Sequence, residues 1–533
     1  MKREQEKALE TLSPFEVKNT LMALAERNHD HAMINAGRGN PNWVATTPRH
    51  AFFQLGLFAL EESERSFSDY DQFGGICLTD GLSERFDAWC QKNQSTRGAE
   101  LLRQSVEYAT HSLNMNKTAF LQEWVDGMLA DNYPVPDRML KHSEAIVHKY
   151  ILQEMAAGLP SCTEEFDIFA VEGGTAAMVY IFNSLKSNGF LKAGDKIAIG
   201  SPIFTPYLEM PELEDYQLEI VEIMASEDEN WQIPQTELDK LYDPEIKAFF
   251  LVNPSNPPSV KLSQESLEKI AEISKQRPDL ILLTDDVYGT FTDEFVSLSM
   301  LAPKSTILVY SFSKYFGATG WRLGVIVLGK DNNFDLALRN TSESEKLRLQ
   351  ERYHGITLDV PNLKFIDRLV ADSRAVALNH TAGLSTPQQI QMVLFSLFCL
   401  LDTEDNYKNT AKSIIKERYD AVFENTKHKP IISPDNHNNA FYYVEIDIKK
   451  DVIQDYGNEF FAWLEQGFEP LDFLVRLAEN YGIVSMDGTG FDAPEWTLRL
   501  SLANLNVPEY HDIRIGIDRQ IKEYYAMYQA AHS

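Results

Sequence analysis

The stretch Ser305–Gly329, STILVYSFSKYFGATGWRLGVIVLG, decides how the rest of the chain is read. Its first apolar run, Ile307-Leu308-Val309-Tyr310, has the length and β-branched content of a buried strand. The run stops at Ser311-Phe312-Ser313-Lys314, and a turn punctuated by Gly317 and Gly320 leads into a second apolar run, Leu323–Leu328. Between the runs stand Lys314 and, eight positions on, Arg322. A lysine at the end of a buried strand costs free energy unless it is paired or covalently used. Burial lowers an amine's pKa, which suits it to imine chemistry with a carbonyl compound. Hydroxyls at Ser311 and Ser313, with Arg322, offer a seat for a phosphate dianion. Lysine, hydroxyl and arginine together describe an anchor for pyridoxal 5′-phosphate (PLP).

The segment Ser311–Gly324, SFSKYFGATGWRLG, resembles the lysine signature of class I and II aminotransferases at every defined position. That resemblance implies an α/β protein of fold type I, with a large domain on a mainly parallel central sheet and a smaller α/β domain from both termini. It implies Lys314 as the catalytic residue, with Ser311, Ser313 and Arg322 on the phosphate. Upstream, Glu172-Gly173-Gly174-Thr175 follows the apolar run Ile168–Val171. Glycines at a strand-to-helix turn expose N–H groups where the helix dipole favours an anion. The segment resembles the family's phosphate loop, with Gly174 and Thr175 as ligands. Phe204, two residues after Pro202, stands where the family stacks an aromatic ring on the pyridine, and Tyr207 is a second candidate for that pocket. Asn253-Pro-Ser-Asn256-Pro resembles the segment whose second asparagine bonds the phenolic oxygen of PLP. Asp285-Asp-Val-Tyr288 resembles the family's D-x-x-Y, which sets a carboxylate against the pyridinium nitrogen and a tyrosine on the phenolic oxygen. A carboxylate there keeps the nitrogen protonated and makes the ring an electron sink. Tyr133, in NYPVPDR, resembles the tyrosine that reaches across a dimer to the partner's PLP phosphate.

Two segments point to the substrate. Gly37-Arg38-Gly39-Asn40-Pro41 resembles the stretch that passes beside it, where Gly39 permits close backbone approach and Arg38 suits a carboxylate. Trp496-Thr-Leu-Arg499 resembles the C-terminal motif whose arginine forks onto the α-carboxylate, and an arginine centred in an apolar strand is otherwise hard to satisfy. The preceding segment, Gly482–Phe491, lacks the family's proline before Gly488. Residues 331–380 are longer and more charged than the family norm, and Arg368 and Arg374 there are expected in surface ion pairs.

The expected organisation is a small-domain segment over 1–45, a large PLP-binding domain over 46–390 and a small C-terminal domain over 391–533. Helical patterns over about 66–121 read as an inserted module. That module, the length of 533 residues, Gly37–Asn42 and Tyr133–Leu140 resemble the aspartate 4-decarboxylases within the family. The resemblance implies β-decarboxylation of L-aspartate to L-alanine and CO2, through the intermediate that transamination hydrolyses, with aspartate transamination as a secondary activity. An ordinary aspartate or aromatic aminotransferase is the alternative. The implied partners are L-aspartate, 2-oxo acids and a second copy of the chain in a site-sharing homodimer, with dodecamers as the further assembly.

Composition sets the outer bounds. A net charge of −30 argues against nucleic acid, since phosphate neutralisation needs a basic face. The longest apolar run, near Met392–Leu401, is too short to span a bilayer. The N-terminus lacks the apolar region of a signal peptide, and four cysteines without CxxC spacing suit reduced thiols and offer no zinc motif. A cytoplasmic protein without a metal is expected, with His29-Asp30-His31 read as a solvated helix end.

Overall fold

The computed structural model describes residues 3–27, 32–159, 161–424, 426–428 and 436–533; His29, Asp30 and His31 lie outside them. After a two-residue strand, β1 (Ile34–Asn35), the chain builds β2 (Phe166–Val171), β3 (Lys196–Ser201), β4 (Glu219–Met224), β5 (Ile246–Val252), β6 (Ile281–Asp285), β7 (Thr306–Ser311) and β8 (Gly324–Gly329). These last seven form one sheet in the order β2-β8-β7-β6-β5-β3-β4. Neighbours are parallel from β7 to β4, and β8 alone runs against both of its neighbours. β2, β7 and β8 are buried at every residue, as strands must be when helices cover both faces. β4 begins only at Glu219, after a turn. Gln217 sits at φ +52°, a left-handed turn that no strand residue adopts, and Tyr216 packs instead on Phe182 with ring centroids 5.4 Å apart.

A second, smaller sheet comes from the C-terminal part: β9 (Tyr443–Asp447), β11 (Met486–Asp487) and β12 (Thr497–Ser501), antiparallel in the order β11-β12-β9. β10 (Ile483–Val484) pairs with β1 in parallel, Ile34 opposite Ile483. Ser501 N–H also donates to Ala36 O at 2.8 Å. The N-terminal forty residues are thereby stitched onto the last fifty.

Between Ser66 and Leu121 the chain folds as helices Leu82–Lys92 and Ala99–Glu107, a π-helical turn Tyr108–Ser112, and the start of helix Lys117–Leu129. They pack on helix Thr46–Ser66, whose Ala51, Leu55, Phe58 and Ala59 are buried at the three-to-four spacing of one helical face. Phe86 and Trp89 meet Phe58 edge-on at 5.3 and 5.7 Å. Glu62, also buried, receives Arg85 Nε at 2.9 and 2.8 Å on its two oxygens. The opposite face of the same helix exposes Phe53, Leu57 and Leu60.

Arg374 pairs with Glu172 at 3.2 Å, but Arg368 departs from expectation. It is buried, donating to the carbonyls of Val360 and Leu363 and to Asn188 Oδ1, with its guanidinium over the Tyr353 ring. Carbonyl groups and a ring face satisfy it in place of a surface carboxylate.

Candidate active site

One cavity opens where the C-terminal ends of the large sheet's parallel strands face the small sheet, the usual place for a ligand in such a fold. Asp285 closes β6, Ser311 closes β7, and Asn256 and Phe204 follow β5 and β3; all four line the cavity. Tyr288 and Lys314 join them.

At one end lie Ser311, Ser313, Thr175 and Arg322, around the N-terminus of helix Gly174–Ser187. Arg322 is held by donating to Thr319 O at 3.0 Å and Glu172 O at 3.2 Å. Gly173 is required beside it: φ is +87°, and a Cβ there would lie 2.6 Å from Arg322 Nη2. Exposed N–H groups, three hydroxyls and one guanidinium make an anion seat.

At the other end Asp285 is buried, with Oδ1 accepting from Val287 N–H and Oδ2 from the Tyr207 hydroxyl, both at 3.3 Å. Burial pushes its carboxyl up to about 6, against the pull of these bonds and of the Lys314 charge. Tyr207 therefore supports Asp285 from beneath and does not line the cavity.

Lys314 Nζ donates to Gly39 O at 3.0 Å, and the Tyr442 hydroxyl donates to the same carbonyl at 2.8 Å. Gly39 has no room for a side chain: a Cβ would stand 2.6 Å from Tyr443 Oη and 3.1 Å from Lys314 Nζ. Arg499 projects from β12, fully enclosed. Its Nη1 donates to Asn256 Oδ1 at 3.1 Å and its Nη2 to Gly37 O at 3.3 Å. The guanidinium lies 4.3 and 4.4 Å from the centroids of Tyr443 and Phe491. The Tyr288 and Tyr443 hydroxyls share a hydrogen bond of 2.9 Å.

Of the residues singled out from sequence, the cavity gathers Gly39, Gly174, Thr175, Phe204, Asn256, Asp285, and with them Tyr288, Ser311, Ser313, Lys314, Arg322 and Arg499. Two lie apart. Tyr133 is exposed, edge-on to His380 at 5.9 Å. Arg38 is exposed at the rim, between Gly37 and Gly39, which both line the cavity. Sequence reasoning passed over Phe15, Lys18, Tyr442 and Tyr443. Phe15 meets Phe204 edge-on at 6.1 Å. Lys18 lies against Gly37, and burial together with the charges of Arg38 and Arg499 lowers its pKa. No local motif marks these four; only the closure of the two chain ends brings them in.

The donor set fits PLP. A buried carboxylate suits a protonated ring nitrogen, Asn256 and Tyr288 suit a phenolate oxygen, Phe204 offers a ring face, and the anion seat suits the phosphate. Among the described residues no group of three or more His, Cys, Asp or Glu side chains is placed to hold a metal.

Fold and site together define a PLP-dependent enzyme of fold type I. The chain belongs to the class I and II aminotransferase family, whose sequence model matches residues 167–513. A Pseudomonas protein, the bifunctional aspartate aminotransferase and L-aspartate β-decarboxylase, is 52% identical over 526 residues, covering 98% of both chains. Among solved structures, a double mutant of Thermus thermophilus aspartate aminotransferase superposes with a TM-score of 0.60 at 17% identity, covering 96% of each chain. The aromatic aminotransferase of Pyrococcus horikoshii gives 0.56 at 17% identity, over 94% of this chain and 99% of its own. At that identity the structures share the fold alone.

Proposed function

We propose that this protein removes the β-carboxylate of L-aspartate, giving L-alanine and CO2, and transaminates aspartate as a secondary activity. The observation that carries this reading is the 52% identity, end to end, with the bifunctional Pseudomonas enzyme. The match runs through the helical region over 66–121 and not only through the shared PLP site.

Bound in the cavity, PLP supplies an electron sink for charge developed at Cα and Cβ. Lys314 would hold the cofactor and would move the proton at the substrate's Cα. Asp285 holds the ring nitrogen protonated. Arg499 receives the α-carboxylate, for which Asn256 and Gly37 already orient it. The substrate's second carboxylate faces the rim, where Lys18 and Arg38 add positive charge. A tight bidentate grip on the leaving carboxylate would stabilise the ground state and oppose its loss. Exposed Arg38 suits the looser contact that decarboxylation requires.

A second copy of the chain completes this reading. The exposure of Tyr133 and the bare apolar face of Phe53, Leu57 and Leu60 support it, since both suit contact between copies. The reading includes a site-sharing homodimer that assembles further, to the dodecamer that the resemblance implies. Among the described residues no helix is long and apolar enough to cross a membrane.

The test is to incubate the purified protein with PLP and L-aspartate and no 2-oxo acid. Sustained CO2 and alanine in equal amounts are expected. One equivalent of oxaloacetate per site, with further turnover only after 2-oxoglutarate is added, would identify an ordinary aminotransferase.

A further inference from the structure

Glu445 is the cross-strand partner of Arg499. The antiparallel register of β9 and β12 sets the two residues opposite one another, so their side chains leave the same face of the sheet. Both are buried, 4% and 2% exposed. They are nevertheless not bonded to each other: among the described residues neither carboxylate oxygen of Glu445 has a hydrogen-bond partner, nor does Arg499 Nε. The terminal nitrogens of Arg499 go to Asn256 Oδ1, Gly37 O and Met486 Sδ, all neutral acceptors.

Opposite charges side by side in a water-poor interior attract strongly, yet no ion pair joins Glu445 to Arg499, an arrangement compatible with a neutral Glu445. Its surroundings favour the neutral form. Burial pushes the carboxyl up to about 8; Glu227, from the short turn Glu227–Glu229, and Asp447, two residues along β9, push the same way, and only Arg499 opposes them. Lys450 pairs with Glu227 and stands 3.7 Å from Asp447, so its charge is already engaged. On the Arg499 side the facing groups are the phenols of Tyr443 and Tyr288, with Lys18 beyond them.

We propose that Glu445 is a proton-controlled positioning residue: neutral, it leaves Arg499 free for a substrate carboxylate, and ionised, it takes the guanidinium as its own counter-ion and closes that site. The proposal rests on Arg499 being the carboxylate holder. Glu445 does not line the cavity and acts only through Arg499. A carboxylate arriving at Arg499 displaces the ionised form, so binding in alkaline solution takes up one proton from solvent onto Glu445.

The test is calorimetric titration of the PLP-loaded enzyme with maleate, a dicarboxylate without an amino group. It is run at pH 7 and pH 9, each in two buffers of different ionisation enthalpy. At pH 9 the unaltered enzyme is expected to take up most of one proton per site more than E445Q. Its maleate affinity is expected to fall by about tenfold for each pH unit above 8, relative to E445Q. Equal proton uptake by the two proteins overturns the proposal, because a packing role alone would leave the protons unmoved. E445M, also neutral and of similar length, replaces E445Q if the latter does not fold. Without any variant, constant affinity of the unaltered enzyme from pH 7 to 9 overturns the proposal as well. Failure of maleate to bind at pH 7 overturns the reading of Arg499 itself, and the proposal falls with it.

Discussion

The cavity has two walls, built in different ways. The wall that suits PLP takes its residues from consecutive strand ends of a single sheet, between Gly174 and Arg322. Each residue there sits in its own short motif, and the sheet aligns the motifs as a consequence of parallel pairing. The wall that suits the substrate draws on Phe15, Gly37, Gly39, Tyr443 and Arg499, residues that meet only because β1 pairs with β10 and the small sheet folds over the large one. A site can therefore be half encoded by local patterns and half by long-range closure. On the proposed reading, the first half would carry the chemistry and the second the choice of substrate.

Substitutions in the two walls should separate along that line. K314A is expected to abolish both CO2 and oxaloacetate formation, a loss of about 10⁴-fold or more if its proton transfer alone is counted. Residual turnover within tenfold of the unaltered enzyme would remove Lys314 from the reaction. D285N keeps the shape of its residue but loses the charge against the ring nitrogen. Its kcat should fall by about 10²- to 10³-fold, the usual cost of one preorganised charge, while PLP remains bound as judged by absorbance. In the opposite wall R499K should act mainly on KM for aspartate, raising it by about 30-fold or more through loss of the fork geometry, with the PLP spectrum unchanged. An effect confined to kcat would break the division between walls. R38A, at the exposed rim, should raise KM only about three- to tenfold, and unaltered aspartate kinetics would remove Arg38 from substrate recognition.

The smallest effect concerns stability. Because burial raises the Glu445 carboxyl from near 4.5 to about 8, the folded chain holds its proton where the unfolded chain has lost it. That contribution is complete below about 4.5 and disappears as pH rises to about 8. E445Q has no such proton, so its melting temperature relative to the unaltered protein should climb by a few degrees across this window. A constant difference would show that Glu445 ionises in the folded chain as it does in the open one.

Much of this molecule was readable before any coordinate. Ile307–Tyr310 and Leu323–Leu328 fall within β7 and β8 or begin just before them, and Asn256, Asp285 and Lys314 meet at the strand ends that their motifs implied. Buried parallel strands leave continuous apolar runs, and strand-end residues inherit their place from the sheet. Arg499 was legible for a different reason, since a charge inside an apolar strand advertises an unmet need. Tyr442, Tyr443, Lys18 and Glu445 were not. Their places come from pairing between segments well separated in sequence, from some fifty residues for Glu445 and Arg499 to about four hundred for Tyr442 and Gly39, and a tyrosine or glutamate in a strand carries no mark of what lies across from it. Arg368 shows the opposite case. Its charged surroundings in sequence suggested the surface, whereas the fold encloses it among main-chain carbonyls.

The pairing of Ile34 with Ile483 also sets a timetable. A ribosome making about 5–20 residues each second needs roughly twenty seconds to a minute and a half to pass from one strand to the other. Throughout that interval β1 has no partner, and the whole wall that suits PLP is made before the interval ends. The nascent chain thus acquires Lys314 well before it acquires Arg499, and birth order alone keeps one wall of the cavity waiting for the other.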